Sequence, residues 1–91
     1  MDAKQPLLAW FREAEQSRWR TPAEVKDLYR TADVVGAGRI VFNIGGNKYR
    51  LVAWVKFDLQ LILIKWVGTH AEYDRVDVRT IGLPDRKGST R

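Results

Sequence analysis

The sequence predicts an α+β domain: two N-terminal helices packed on one face of a three-stranded antiparallel meander, with a short helical turn at its C-terminal end. Three observations carry this expectation. An amphipathic segment and a capped second helix fill the first third of the chain. Three runs rich in β-branched and aromatic residues follow, separated only by turn residues. A capping box stands directly after the last run.

Taken in order, Leu7, Trp10, Phe11 and Ala14 follow i, i+3, i+4, i+7 spacing and make one apolar stripe, with Arg12, Glu13, Glu15 and Gln16 on the other face. In "TPAE" (21–24), Thr21 suits an N-cap, Pro22 the first helical position and Glu24 the return bond of a capping box. The second helix should run from Pro22 to Arg30 and bury Val25, Leu28 and Tyr29. "VVGAG" (34–38) breaks the helical pattern. "RIVFNI" (39–44) reads as the first strand, "GGN" (45–47) as a hairpin turn and "KYRLVAWVKF" (48–57) as the second strand. "DLQ" (58–60) connects to "LILIKWVG" (61–68), whose near-continuous apolarity predicts burial on both faces. "THAE" (69–72) then starts a helical turn with His70 at its first position. Residues 1–91 read as one domain, with 82–91 expected to be a mobile tail.

Composition narrows the function classes. Hydrophobic residues make up 45% of the chain and four are tryptophans, which is enough for a packed core and argues against disorder. The cysteine count is zero, so disulfides and thiolate metal sites are excluded and a reducing cytoplasm is the expected location. The longest apolar run is too short to span a bilayer, and the N-terminus does not read as a signal peptide. No membrane partner is expected. One histidine with scattered carboxylates offers no metal-ligand spacing, and "NIGGNK" lacks the spacing and context of a phosphate loop. Neither a metal nor a cofactor is therefore expected. The formal net charge is +5, and all of the excess lies in residues 39–91. That pattern suits RNA or an acidic protein partner.

Alternation along the second strand puts Lys48, Arg50, Val52, Trp54 and Lys56 on one face, opposite an apolar set that should pack on the helices. Cations contact phosphates and aromatics stack on bases, so this face could bind single-stranded RNA. The same pattern also fits a solvated outer face with cross-strand ion pairs. On a helical turn His70, Tyr73 and Asp74 share a face. An imidazole can accept or donate a proton, and RNA strand cleavage needs both moves: one from the 2′-hydroxyl, one to the departing 5′-oxygen. An arginine would stabilise the pentavalent transition state. Arg50, on the middle strand, and His70, just past the end of the neighbouring one, could converge. The alternative is that His70 only starts a helix and Tyr73 only anchors it.

"RIVFNIGGNKYRLVAWV", followed by "WVGTHAEYDRVD", resembles the HigB family of toxins, within the RelE-like superfamily of type II toxin–antitoxin modules. The preceding "TPAEVKDLYRTADVVG" resembles it too, so the likeness covers roughly residues 5–81. The resemblance implies a RelE-like microdomain and an mRNA endoribonuclease (mRNA interferase) acting on messages held on the ribosome. It also implies metal-independent attack by the 2′-hydroxyl and neutralisation by a HigA-type helix-turn-helix antitoxin. Arg50 matches the strand arginine that holds the scissile phosphate. His70 falls where the superfamily places a catalytic arginine or histidine, and Tyr73 resembles a nearby aromatic used for stacking or proton transfer. Lys48 would contact phosphate, and Asn43 and Asn47 base or phosphate. Two other classes remain open on the residues alone: a non-catalytic RNA- or ribosome-binding module, and a domain whose cationic face only docks an acidic antitoxin segment.

Overall fold

The computed structural model describes residues 4–46 and 48–82. The predicted Asn47 and the tail from 83 onward lie outside them. The described elements run α1 (Lys4–Gln16), α2 (Pro22–Leu28), β1 (Asp33–Gly36), β2 (Arg39–Ile44), β3 (Tyr49–Lys56), a 3₁₀ turn (Phe57–Leu59), β4 (Leu61–Thr69) and α3 (His70–Tyr73). The class is α+β, and the sheet is fully antiparallel in the order β1-β2-β3-β4.

The sheet has four strands rather than the expected three. "VVGAG" does end the helical pattern, but its first part pairs with β2, Asp33 opposite Val41 and Val34 opposite Ile40. The turn between them holds Gly36, Ala37 and Gly38 all at positive φ, so it is a hairpin and not merely a break. The helix count also differs, because the turn after β4 is a true α3 and a 3₁₀ turn links β3 to β4. The second helix stops at Leu28, where the Tyr29 N–H caps the Val25 carbonyl. Leu28 is exposed as a result and does not pack inward. At the start of α2, the Thr21 hydroxyl accepts from the Glu24 N–H, as the cap predicts. The Glu24 carboxylate instead accepts from the Arg20 N–H, one residue before the cap.

The core lies between the helices and one sheet face. Trp10 and Ala14 of α1 and Val25 of α2 meet Ile40, Phe42 and Ile44 of β2 and Leu51, Ala53 and Val55 of β3. Phe42 is the hub: the Trp10 and Tyr29 rings each stand edge-on to it with centroids 5.1 Å away, and Trp19 stacks on it at 6.1 Å. Phe11, predicted for the apolar stripe, is 44% exposed at the margin of the helix face.

Two expectations about the strands are corrected. β4 is not buried on both faces: Leu61, Leu63 and Ile64 are each about 40% exposed. It is an edge strand in the described sheet, so apolarity reflects one packed face and one open flank. The outer face of the sheet, expected to be cationic and open, is partly roofed. Arg39 and Val52 are buried on it, and Arg39 donates to the carbonyls of Val78 (3.0 Å) and Ile81. The chain after α3 thus crosses the outer face at the level of Arg39 and leaves the Arg50 end uncovered by that pair of bonds. No described helix is long and apolar enough to cross a membrane.

Candidate active site

Register builds the site. β3 and β4 pair Arg50 with Gly68 and Tyr49 with Thr69, so β4 ends beside Arg50. Thr69 stops the strand and caps α3: its hydroxyl accepts from the Glu72 N–H (3.1 Å), and the Glu72 carboxylate accepts from the Thr69 N–H (2.8 Å). This reciprocal box fixes the direction of a four-residue helix, and with it His70 and Tyr73.

The three predicted catalytic candidates come together around the Arg50 guanidinium. Its Nε lies 3.5 Å from His70 Nε2, at the outer limit of a hydrogen bond. Its Cζ sits 4.6 Å from the centroid of the Tyr73 ring, a cation–π contact. Its Nη1 lies 4.0 Å from Asp33 Oδ2 across the sheet. An arginine Nε always carries a proton, so His70 Nε2 meets it as an acceptor. The Nε2 lone pair of the imidazole is thus turned toward the guanidinium. The Arg50 side chain is 21% exposed, which leaves it reachable from solvent beside two half-buried rings.

The predicted contact residues divide. Asn43 pairs directly opposite Arg50 in the β2–β3 ladder, and its Nδ2 donates to the Thr31 carbonyl at 3.2 Å. Its Oδ1 is buried with no hydrogen-bond partner among the described residues. Lys48 is exposed at the hairpin that leads into β3. Trp54 and Lys56 lie farther down the strand, opposite Leu63 and Leu61. Four residues of strand put Trp54 about 13 Å from Arg50. There it packs against the β1–β2 turn, where a Cβ on Gly38 would come within 2.8 Å of its indole nitrogen. These two residues therefore do not join the Arg50 cluster.

Three residues at or under this face were missed from sequence. Asp33 sits on the strand that was not foreseen. Arg39 is only the first residue of a strand in the sequence reading, yet it is 2% exposed. Trp66 lies two residues before Gly68, and its ring centroid is 6.1 Å from that of Tyr73. Simple alternation along β4 does not find Trp66, because the register shifts at Lys65. Among the described residues, no group of three histidine, aspartate or glutamate side chains is placed to hold a metal ion.

Such a site, a strand arginine facing a histidine and a tyrosine on the following helical turn, can bind an anionic group and move a proton beside it. Comparison with known proteins gives the context. An mRNA interferase toxin HigB from Escherichia coli K12 is 56% identical over 34 residues, 37% of this chain and 33% of that protein. An mRNA interferase HigB from Shigella flexneri matches to the same extent, so the chain spans about a third of the length of these relatives. A longer match, to an mRNA interferase HigB from Escherichia coli O6:H1, is 26% identical over 72 residues, covering 77% of this chain and 70% of that protein. The family described as HigB_toxin, the RelE-like toxic component of a toxin-antitoxin system, matches residues 3–76, and the chain belongs to it.

Proposed function

We propose that this chain is an mRNA endoribonuclease, the toxin of its module, cutting messages by metal-independent attack of a 2′-hydroxyl and so stopping translation. The observation that carries this reading is the convergence of Arg50, His70 and Tyr73 on one part-buried corner of the sheet. The relatives' name, mRNA interferase, supports it.

In this reading the scissile phosphate binds Arg50 and draws the guanidinium off His70. That frees the Nε2 lone pair to accept the 2′-hydroxyl proton. The 2′-oxygen forms a bond to phosphorus as the bond from phosphorus to the 5′-oxygen breaks. The proton taken up by His70 is returned through water to that oxygen, leaving a 2′,3′-cyclic phosphate and a 5′-hydroxyl end. Arg50 balances the charge that builds on the pentavalent phosphorus, and Tyr73 holds the guanidinium plane from below. Lys48 and Asn43 flank the phosphate path on the Arg50 side, while Trp54 and Lys56 would meet RNA only farther along the sheet. The message is read on the ribosome, and a HigA-type helix-turn-helix antitoxin silences the toxin by covering this face or by making the complex too bulky to enter.

The test is to map RNA ends after brief expression of the wild type, Arg50→Ala, His70→Ala and Tyr73→Phe in the cytoplasm of a bacterial host. New 5′-hydroxyl ends are expected with the wild type and are lost with the first two variants. Tyr73→Phe keeps the ring under Arg50 and is expected to retain most of the cleavage. Growth arrest with intact messages would instead favour a non-catalytic RNA- or ribosome-binding module. Full toxicity of folded Arg50→Ala and His70→Ala would remove the proposed site.

A further inference from the structure

We propose that Trp66 is a nucleobase-binding residue, whose indole stacks on the base of a nucleotide next to the phosphate held by Arg50. The proposal rests on the cleavage reading for its substrate and adds to it a subsite on a different strand.

The placement of Trp66 sets it apart from other tryptophans in the chain. Trp10 and Trp19 are buried in the core at 4% and 7% exposure, and Trp54 packs on a turn. Trp66 is only part-buried and faces away from the core, because it pairs with Val52 on the outer side of the sheet. Its six-membered ring lies over Gly68: a Cβ there would come within 2.5 Å of both Cη2 and Cζ2. The indole therefore leans along β4 toward the catalytic corner, into space that only a glycine leaves open. Its ring is 6.1 Å from that of Tyr73, tilted by 50°, and Tyr73 in turn carries the Arg50 guanidinium at 4.6 Å. The result is a row of indole, phenol and guanidinium leading away from the phosphate position.

The chemistry of the reaction calls for such a surface. In a stacked RNA strand the 2′-oxygen is not in line with the bond it must break. Alignment turns the nucleotide and separates its base from a neighbour. The lost stacking is best replaced by an aromatic ring close to the phosphate, which accepts any base because every base has a π-face. Tyr73 is already covered on one side by Arg50. The part-exposed indole beside it is the surface left to take the base.

The test is a cycle of protein and substrate changes. Wild type, Trp66→Ala and Trp66→Phe are each given a message with an intact cleavage site, or with a single abasic nucleotide on either side of the cut, free and on programmed ribosomes. On the intact message, Trp66→Ala is expected to lower kcat/KM by about tenfold, and Trp66→Phe to recover most of the loss. One abasic position should cost the wild type about as much and cost Trp66→Ala nothing further. Equal abasic penalties in both proteins, or unchanged cleavage by Trp66→Ala, would overturn the proposal. Should Trp66→Ala fail to fold, the wild-type abasic series and Trp66→Phe decide it: no penalty at either position overturns it. Should the wild type bind without cutting, the cleavage reading fails alone. The same cycle, read as affinity for a message with a 2′-deoxy nucleotide at the site, then decides the subsite.

Discussion

The Arg50 guanidinium touches His70 through Nε, at 3.5 Å, while its face covers the Tyr73 ring at 4.6 Å. One planar cation thus contacts two side chains of α3, His70 and Tyr73, and also reaches toward Asp33 at 4.0 Å. A lysine cannot repeat this, since an ammonium is a point charge with no plane to lay on a ring. Arg50→Lys is therefore expected to lose cleavage by about a hundredfold or more, close to Arg50→Ala, with an unchanged circular dichroism spectrum. Retention of activity within a few-fold of the wild type would show that charge alone suffices there.

Gly68 is held open by its neighbours and not by its backbone. A Cβ at 68 would press on the Trp66 ring at 2.5 Å and on Glu72 Oε1 at 2.8 Å, the oxygen that accepts from the Thr69 N–H. Gly68→Ala is expected to cost about 1–2 kcal/mol in urea unfolding and to displace the indole from the catalytic corner. The cost should shrink in a Trp66→Ala background, because the larger of the two clashes is then gone. Equal costs in both backgrounds would place the strain at Glu72 instead.

Local signals were legible in the sequence where a short motif decides the outcome. "THAE" gave both bonds of the α3 capping box, and "RIVFNI" gave β2 with its limits. What was not legible depends on neighbours. β1 is only four residues long and exists because β2 lies beside it. The exposure of Leu61, Leu63 and Ile64 follows from β4 standing at the sheet edge, which apolarity cannot reveal. A register shift in β4 also defeats simple alternation. Val52 pairs with Trp66 but Ala53 with Ile64, so Lys65 is the extra residue. Ile64 and Trp66 consequently face opposite sides although they are two apart. For the site, Arg50 and His70 were within reach of register arguments, while Asp33 and Trp66 needed the strand that was missed and the bulge that was hidden.

Tyr29 offers a check on the helix–sheet interface through pH. Its hydroxyl donates to the Glu13 carboxylate of α1. Burial, and then the bond to and charge of Glu13, push the phenol well above its usual value. A raised value in the folded state means that the native protein keeps this proton where the unfolded chain loses it. The contribution to stability is full below the ordinary tyrosine pKa of about 10 and declines as pH rises beyond it. The stability difference between wild type and Tyr29→Phe is therefore expected to narrow in urea titrations above pH about 10. A difference that grows with pH would contradict the assigned bond.

Arg39 is the buried tie between the sheet and the chain that follows α3. It donates to the Val78 and Ile81 carbonyls, and its Nη2 is buried with no hydrogen-bond partner among the described residues. Removing the guanidinium leaves two carbonyls without their charged donor, so Arg39→Ala is expected to cost about 2–4 kcal/mol. Arg39→Met fills much of the volume and removes the unpaired Nη2, and should cost less. Stability alone does not separate an anchor from a core filler, so the deciding measurement is hydrogen exchange. An anchor predicts faster exchange at residues 78–82 in both variants while the β2–β3 amides keep their protection. It also predicts weaker cleavage, because the loosened segment continues directly from the helix that carries His70 and Tyr73. Uniformly faster exchange across the sheet would instead assign Arg39 to the packing of the outer face beside Val41 and Val52.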